Sequence, residues 1–254
     1  MDFRVDLAGE SGLGTSGALS VGILHALARL RGATVDPWTL LADAARVEVD
    51  MLQGASGYHD PAICALGGLR HLAYDGRGGV REVPLQLAEG MGARLDEALL
   101  LFYSGHHARS KPSLDLLGSH MDEALPVLHE IRALTDELAT ALADGDLPRV
   151  AGAIGTQQRL KQRLPGRFVD DSVEDVVARV RATGAEAQLP GGKISAFVLA
   201  CCPDGQQDAV RAALADLREV PFSFQSEGTR AIGFGGDAKP AAPFTDRPAA
   251  GPLD

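Results

Sequence analysis

The sequence has few positive charges for its size, and this limits the partners that it can bind. Its 254 residues contain 24 Lys and Arg against 34 Asp and Glu, a formal net charge of −10 at pH 7. A surface of this sign repels phosphate backbones and anionic lipid headgroups. We therefore expect no nucleic-acid partner, and an anionic substrate would need a local basic pocket.

Cysteines and long apolar runs are scarce as well. Two of the three cysteines, Cys64, Cys201 and Cys202, are adjacent, and their spacing matches no metal-ligand pattern, so we expect reduced, buried thiols. No apolar run is long enough to span a bilayer, and the N-terminus lacks the basic-then-apolar pattern of a secretion signal. These features predict a cytoplasmic protein without a membrane partner.

Small residues are concentrated in one stretch, residues 9–20, between an alternating segment and an apolar-periodic helix that starts near Gly17. Glycines let a backbone approach a ligand closely, and the N–H groups at a helix N-terminus attract anions. The stretch fits neither a Walker A sequence nor the Rossmann fingerprint, because their defining spacings are absent. It is therefore either a phosphate-binding loop or a strand-to-helix turn with good capping residues.

Two carboxylates downstream could take part in phosphoryl transfer. Glu48, near the end of the second predicted helix, is either a ligand of a hard cation or a solvated helix residue. Asp60, in a small-residue loop before Pro61, either accepts a proton from a hydroxyl group or caps a helix. Arg109 and Lys111 lie in a basic loop, which is either a clamp for a sugar phosphate or a solvated surface loop.

Periodicity predicts an α+β fold with two lobes rather than alternating βαβ units. The N-terminal lobe would cover 1–105, a mostly helical lobe would cover 106–232, and a disordered tail would cover 233–254. We expect helices over 17–30, 37–51, 62–66, 113–143 with a break near Pro126, 148–164, 172–185 and 206–217. We expect strands over 1–7, 69–74, 80–85, 98–103, 193–202 and 222–225, with the second and third forming a hairpin.

These motifs together resemble the GHMP kinases. The loop at 12–18, Glu48, the string at 57–60 and Gly67-Gly68 are similar to that family's phosphate loop, metal-binding glutamate and catalytic motif. The likeness is greatest to D-glycero-D-manno-heptose 7-phosphate kinases and is carried by 12–27, 66–85, 100–110 and 217–232. It implies a two-lobed GHMP-kinase-like fold without its first strands, and transfer of phosphate from ATP to the anomeric hydroxyl of a heptose 7-phosphate.

The resemblance also implies a role for each site residue. The ATP phosphates would rest on Gly12, Leu13, Gly14, Thr15, Ser16 and Gly17. Ser16 and Glu48 would hold Mg²⁺, and Asp60 would be the catalytic aspartate. His59, which stands where the family usually has glutamine, would contact the sugar phosphate together with Arg109 and Lys111. The binding partner would be this sugar phosphate. The chain could also form a homodimer.

The sequence departs from the family pattern in two places. The family's first motif would lie well upstream of the phosphate loop, which begins here at residue 12. The third motif starts at Gly191-Gly192-Lys193 but lacks the glycine run that normally follows. We therefore expect weak or no turnover. The alternatives are a truncated or degenerate non-catalytic relative, or a kinase for another sugar such as fucose.

Overall fold

The structure is a computed structural model that describes residues 12–53, 57–105, 110–165, 171–191 and 195–231. Its helices are α1 (Thr15–Leu30), α2 (Pro37–Ala45), α3 (His59–Leu66), α4 (Met91–Ala98), α5 (Ser110–Ser119), α6 (Met121–Asp144), α7 (Leu147–Arg163), α8 (Asp171–Arg181) and α9 (Gln207–Ala213). Its strands are β1 (His71–Tyr74), β2 (Val80–Val83), β3 (Leu99–Tyr103), β4 (Glu186–Gln188), β5 (Phe197–Cys201) and β6 (Arg218–Glu219). A π-helical turn, Arg46–Met51, continues α2.

The larger sheet is antiparallel, with strand order β4-β5-β3-β6. Helices cover both of its faces, so β3 can be a continuous apolar run. One face packs on α8 and α9 through Val180 and Val210, and the other packs on α4, α6 and α7. Adjacent residues of a strand point to opposite faces, and Cys201 and Cys202 accordingly enter different cores.

The N-terminal helices form a separate core with a small hairpin. Val21 of α1, Leu40 and Leu41 of α2, and Ala62 of α3 are buried together, and Leu72 and Val80 of the hairpin pack against them. In the hairpin, β1 pairs with β2, and the Asp75 carboxylate accepts hydrogen bonds from the Arg77 and Gly79 N–H groups in the turn. This core fixes the start of α3 beside the start of α1.

Many of the expected elements are confirmed, and so is the α+β fold. The helix from 17 to 30, the 69–85 hairpin, the strand at 98–103 and the helix at 148–164 are present with small shifts at their ends. All three cysteines are free thiols; Cys201 and Cys202 are buried and Cys64 is half-buried. The expected strand at 1–7 and tail at 233–254 lie outside the described residues. No helix in the described ranges is long and apolar enough to cross a membrane.

The predicted break near Pro126 was wrong. Pro126 lies inside α6, and the chain breaks instead between α5 and α6. There the Ser119 hydroxyl donates to the Leu116 carbonyl, and the His120 ring lies at hydrogen-bonding distance from the same oxygen. These side-chain bonds take up an acceptor at the end of α5, as C-terminal caps do. Pro126 leaves only its own helical hydrogen bond unmade, which the packing of α6 tolerates.

The strand expected at 222–225 was also wrong, and two elements were missed. Strand β6 is only Arg218–Glu219, and its pairing with β3 ends where the Val220 N–H donates to the Leu101 carbonyl. Residues further on bond to other elements: Phe224 N–H donates to Asp96 of α4, and the Gln225 carbonyl accepts from Gly68 N–H. Helix α4 and strand β4 were not predicted, because the first is a short amphipathic segment and the second has three residues.

Candidate active site

The phosphate loop ends in a left-handed glycine that starts α1. Gly12 and Gly14 have φ of +79° and +72°, a region that side chains with a Cβ rarely adopt. Gly14 is the N-cap of α1, and the first turn of this helix contains no acidic residue. The N-terminal N–H groups of α1 and its dipole therefore favour an anion at this end.

Ser16 and Glu48 are 32 positions apart in the sequence, and the fold brings them together. The Ser16 hydroxyl donates to Glu48 Oε2 at 3.2 Å. Glu48 is only 4% exposed, because the π-helical turn Arg46–Met51 directs it toward α1. A π-helical turn within an α-helix often marks a functional site.

The Ser16 hydroxyl and the Glu48 carboxylate suit a Mg²⁺ ion that is also bound by a substrate. They suit a metal ion held by protein ligands alone less well. A hydroxyl and a carboxylate are hard ligands, and Mg²⁺ in kinases usually takes one or two of them together with substrate phosphates. Within the described ranges, no group of three or more His, Cys, Asp and Glu side chains could hold a metal ion. A bound Mg²⁺ would thus be shared between Ser16, Glu48 and the phosphates of a nucleotide.

Asp60 lies directly against the phosphate loop. A Cβ added to Gly14 would be 3.1 Å from Asp60 Cγ, and one added to Gly17 would be 2.8 Å from the Asp60 carbonyl carbon. The residue that caps α3 is Tyr58, so Asp60 is inside the first turn and is not the cap. Its side chain is 25% exposed, which leaves the carboxylate accessible to a small substrate.

The acidic side chains of the site influence their neighbours. His59 Nε2 is 2.9 Å from Asp60 Oδ1, and this hydrogen bond raises the pKa of His59 above its usual 6.5. Burial raises the pKa of the Cys64 thiol to about 11, and the charges of Asp60 and Glu48 add to the effect. Asp60 and Glu48 are therefore both close enough to Cys64 of α3 to affect its ionisation.

The turn that follows β4 packs on the loop from the other side. A Cβ on Gly191 would be 2.8 Å from the Gly12 carbonyl oxygen, and one on Gly12 would be 3.2 Å from Ser195 Oγ. The Lys161 ammonium donates to the carbonyls of Leu189 and Gly191, at 2.8 and 3.0 Å. The third motif thus reaches the phosphate loop although its glycine run is absent.

Sequence reasoning missed Lys161 and Gln158, which fix this turn from α7. Gln158 is buried, and its side-chain oxygen accepts a hydrogen bond from Leu189 N–H at 2.9 Å. Polar residues in an amphipathic helix look like ordinary solvent-facing positions, so the sequence carried no signal for this role.

Residues near the C-terminal end of the described part connect α1 with α3. Thr229 N–H donates to the Cys64 carbonyl at 2.9 Å, and the Thr229 hydroxyl is 3.1 Å from His25 Nδ1. Gly228 packs so closely on Ala65 that an added Cβ would be 2.1 Å from its carbonyl oxygen. This contact holds the two helices whose N-termini form the site.

The expected substrate residues are divided between described and undescribed positions. His59 lies at the site, beside Asp60. Lys111 lies in the first turn of α5, and Arg109 falls outside the described residues.

Comparison with known proteins points to one kinase family. Residues 2–68 match the sequence model of the GHMP kinases N terminal domain. The chain is 29% identical over 238 residues to mevalonate kinase from Methanothermobacter thermautotrophicus, which covers 90% of this chain and 73% of that protein. These matches support a place in the GHMP kinase family. The homologues in this family are ATP-dependent phosphotransferases that act on hydroxyl groups of sugars or acids.

Solved GHMP kinase structures share the fold. A D-glycero-D-manno-heptose 1-phosphate kinase from Bacteriodes thetaiotaomicron superposes with a TM-score of 0.68 at 21% identity, covering 90% of this chain and 66% of that one. Lactococcus lactis galactokinase, complexed with galactose, superposes with a TM-score of 0.69 at 14% identity, covering 89% and 69%. The chain thus spans about two thirds of the length of these structures.

Proposed function

We propose that this chain transfers the γ-phosphate of ATP to the anomeric hydroxyl of a heptose 7-phosphate. The observation that carries the proposal is the position of Asp60, whose carboxyl group lies against the Gly14 end of α1. An acceptor hydroxyl beside Asp60 would therefore be next to the phosphates at the helix N-terminus. The heptose specificity is supported by the resemblance of four sequence segments to heptose kinases.

Each residue has a defined part in the reaction. The N-terminal N–H groups of α1 hold the phosphates, and Ser16 and Glu48 would hold a Mg²⁺ ion. Such an ion would supply positive charge that neutralises the phosphates. Asp60 orients the acceptor hydroxyl and takes its proton, while the hydroxyl oxygen bonds to the γ-phosphorus and the bond from this phosphorus to the ADP oxygen breaks.

Replacing Asp60 tests this mechanism. Asp60→Asn keeps the shape but cannot take the proton, so turnover should fall about a hundredfold or more. Asp43→Asn, on the exposed side of α2, is the matched control and should retain full activity. ADP release would be measured with both variants, and Mg-ATP binding would be followed by calorimetry. Unchanged turnover in Asp60→Asn would exclude Asp60 from the mechanism.

A substrate panel tests the acceptor. A second candidate is mevalonate, favoured by the 29% identity to a mevalonate kinase. The panel therefore contains a heptose 7-phosphate, fucose, galactose and mevalonate. Fastest ADP release with the heptose 7-phosphate supports the proposal, and a preference for another acceptor replaces its substrate. Binding of Mg-ATP without turnover on any acceptor would favour the non-catalytic alternative.

A further inference from the structure

A concave region is lined by residues that flank Glu48 in the chain. This cavity has a volume of about 300 Å³ and is lined by Trp38, Arg46, Asp50, Tyr58, Arg77 and Gly78, among others. Arg46 and Asp50 are exposed, whereas Glu48 between them is buried. Arg46 and Asp50 are four residues apart and therefore share one side of the turn, whereas Glu48 lies between them on the other side. The turn thus presents the Glu48 carboxylate to the phosphate loop and the Arg46 guanidinium to the cavity.

Two guanidinium groups of the cavity lie outside the ion pairs of the described residues. In the described part of the chain, neither Arg46 nor Arg77 has a carboxylate within ion-pair distance of its guanidinium, unlike Arg70, which pairs with Glu82 nearby. Two guanidinium groups and the single Asp50 carboxylate face the same space. Guanidinium groups bind phosphate through two parallel hydrogen bonds, so these two can contact an anion although Asp50 lines the cavity and the Asp75 carboxylate lies in the same turn as Arg77.

Two aromatic side chains complete the walls. Trp38 is 38% exposed and Tyr58 is half-buried. A Cβ on Gly78 would be 3.4 Å from the Tyr58 hydroxyl oxygen, so Tyr58 reaches from the start of α3 to the hairpin turn. Flat aromatic faces next to guanidinium groups suit a ligand that has both a ring and an anionic group.

The cavity adjoins the candidate active site. Tyr58 lies two residues before Asp60, and both belong to the start of α3. The charge of Asp60 adds to burial in raising the pKa of Tyr74, which pairs with Val80 of the cavity wall. The two sites therefore share α3 and the hairpin.

We propose that this cavity binds the phosphate group of a phosphorylated acceptor, with Arg46 and Arg77 on the phosphate and Trp38 and Tyr58 against the ring. The inference rests on the proposed kinase function, because the ligand is the acceptor of that reaction. Asp50 repels the phosphate and limits its affinity.

Binding is tested without catalysis. Trp38 is the only tryptophan of the 254 residues, so its fluorescence reports directly on the cavity. Mannose 6-phosphate should change this fluorescence and saturate at about 1 mM or below, and mannose should not. Arg46→Gln and Arg77→Gln should weaken binding about tenfold or more, and Asp50→Asn should strengthen it. Arg81→Gln, on β2 outside the cavity, is the matched control and should bind like the unaltered chain.

The outcomes separate this inference from the proposed function. Arginine-dependent binding without turnover would support the cavity as a phosphate site while the kinase proposal fails. Turnover of a sugar phosphate with an unchanged KM in both arginine variants would overturn the inference while the kinase proposal stands. A folded protein that gives no fluorescence change and no heat with mannose 6-phosphate would also overturn it.

Discussion

The residue that distinguishes this site is His59. It lies where the GHMP resemblance expects glutamine, and its ring is bonded to the carboxylate proposed as the base. The hydrogen bond raises the pKa of His59, so the imidazolium persists to a higher pH than usual. A charged imidazolium holds the Asp60 carboxylate in a hydrogen bond, so the carboxylate is less available to an acceptor hydroxyl.

We therefore expect a pH dependence that glutamine would remove. Below its raised pKa, His59 is charged and pairs with Asp60; as the pH rises through that pKa the charge is lost, and turnover should increase. His59→Gln should flatten this rise, so its relative activity at pH 6 should be higher. The measurement is kcat against pH from 5.5 to 8.5, with His129→Gln, on the exposed side of α6, as control. Superimposable profiles for His59→Gln and the unaltered chain would contradict the coupling.

At the scale of elements, the site depends on how closely α1 approaches α3. Gly17 touches the Asp60–Pro61 backbone with no room for a methyl group, whereas Gly22 on the same helix has no atom within 4 Å of an added Cβ. The separation of the two helix N-termini is thus set by the absence of one side chain.

The same substitution at these two glycines should have opposite effects. Gly17→Ala should lower the free energy of unfolding by about 1–3 kcal/mol, because the helices must move apart. Gly22→Ala should raise it by up to about 1 kcal/mol through helix propensity. Urea unfolding measures both, and ADP release should fall only in Gly17→Ala. Equal stability of the two variants would show that α1 and α3 pack less closely.

At the scale of the whole molecule, buried titratable groups govern stability at high pH. Burial raises the pKa of Cys64, Cys201 and Cys202 to about 11, 12 and 11 from 9.0. It lowers the pKa of Lys161 from 10.5 to about 8. As the pH rises, the thiols ionise in the unfolded chain at a lower pH than in the folded protein. Their contribution to the free energy of unfolding is therefore present below pH 9 and is lost above it. Lys161 acts in the opposite direction. Between pH 8 and 10.5 its side chain binds more protons in the unfolded chain than in the folded protein, so its contribution to the free energy of unfolding rises with pH.

We expect the free energy of unfolding to fall from pH 9 to 11, since three groups oppose one. Lys161→Met removes the opposing contribution, so the fall from pH 9 to 11 should be steeper. Cys64→Ser should make it shallower. Urea unfolding at intervals of one pH unit provides the comparison. A slope in Lys161→Met equal to that of the unaltered chain would mean that the ammonium group is solvated.

Local sequence alone determined much of this protein. The helix at 17–30, the 69–85 hairpin, the apolar strand at 98–103 and the glycine turn before α1 follow from periodicity and turn residues, which act over a few positions. The residue types of the site were evident too, although the roles of Ser16, Glu48 and Asp60 stay predictions. The two-lobe division, the homodimer and the acceptor stay predictions as well.

Only the tertiary structure decided which of these residues meet. Ser16 and Glu48 are brought together by helix packing, and Lys161 reaches the turn beside Gly12 from a different helix. The short strand β6 and the contact of Thr229 with Cys64 exist because distant segments supply their hydrogen-bond partners. Such contacts depend on the packing of the whole chain, so the residues adjacent in the sequence do not predict them.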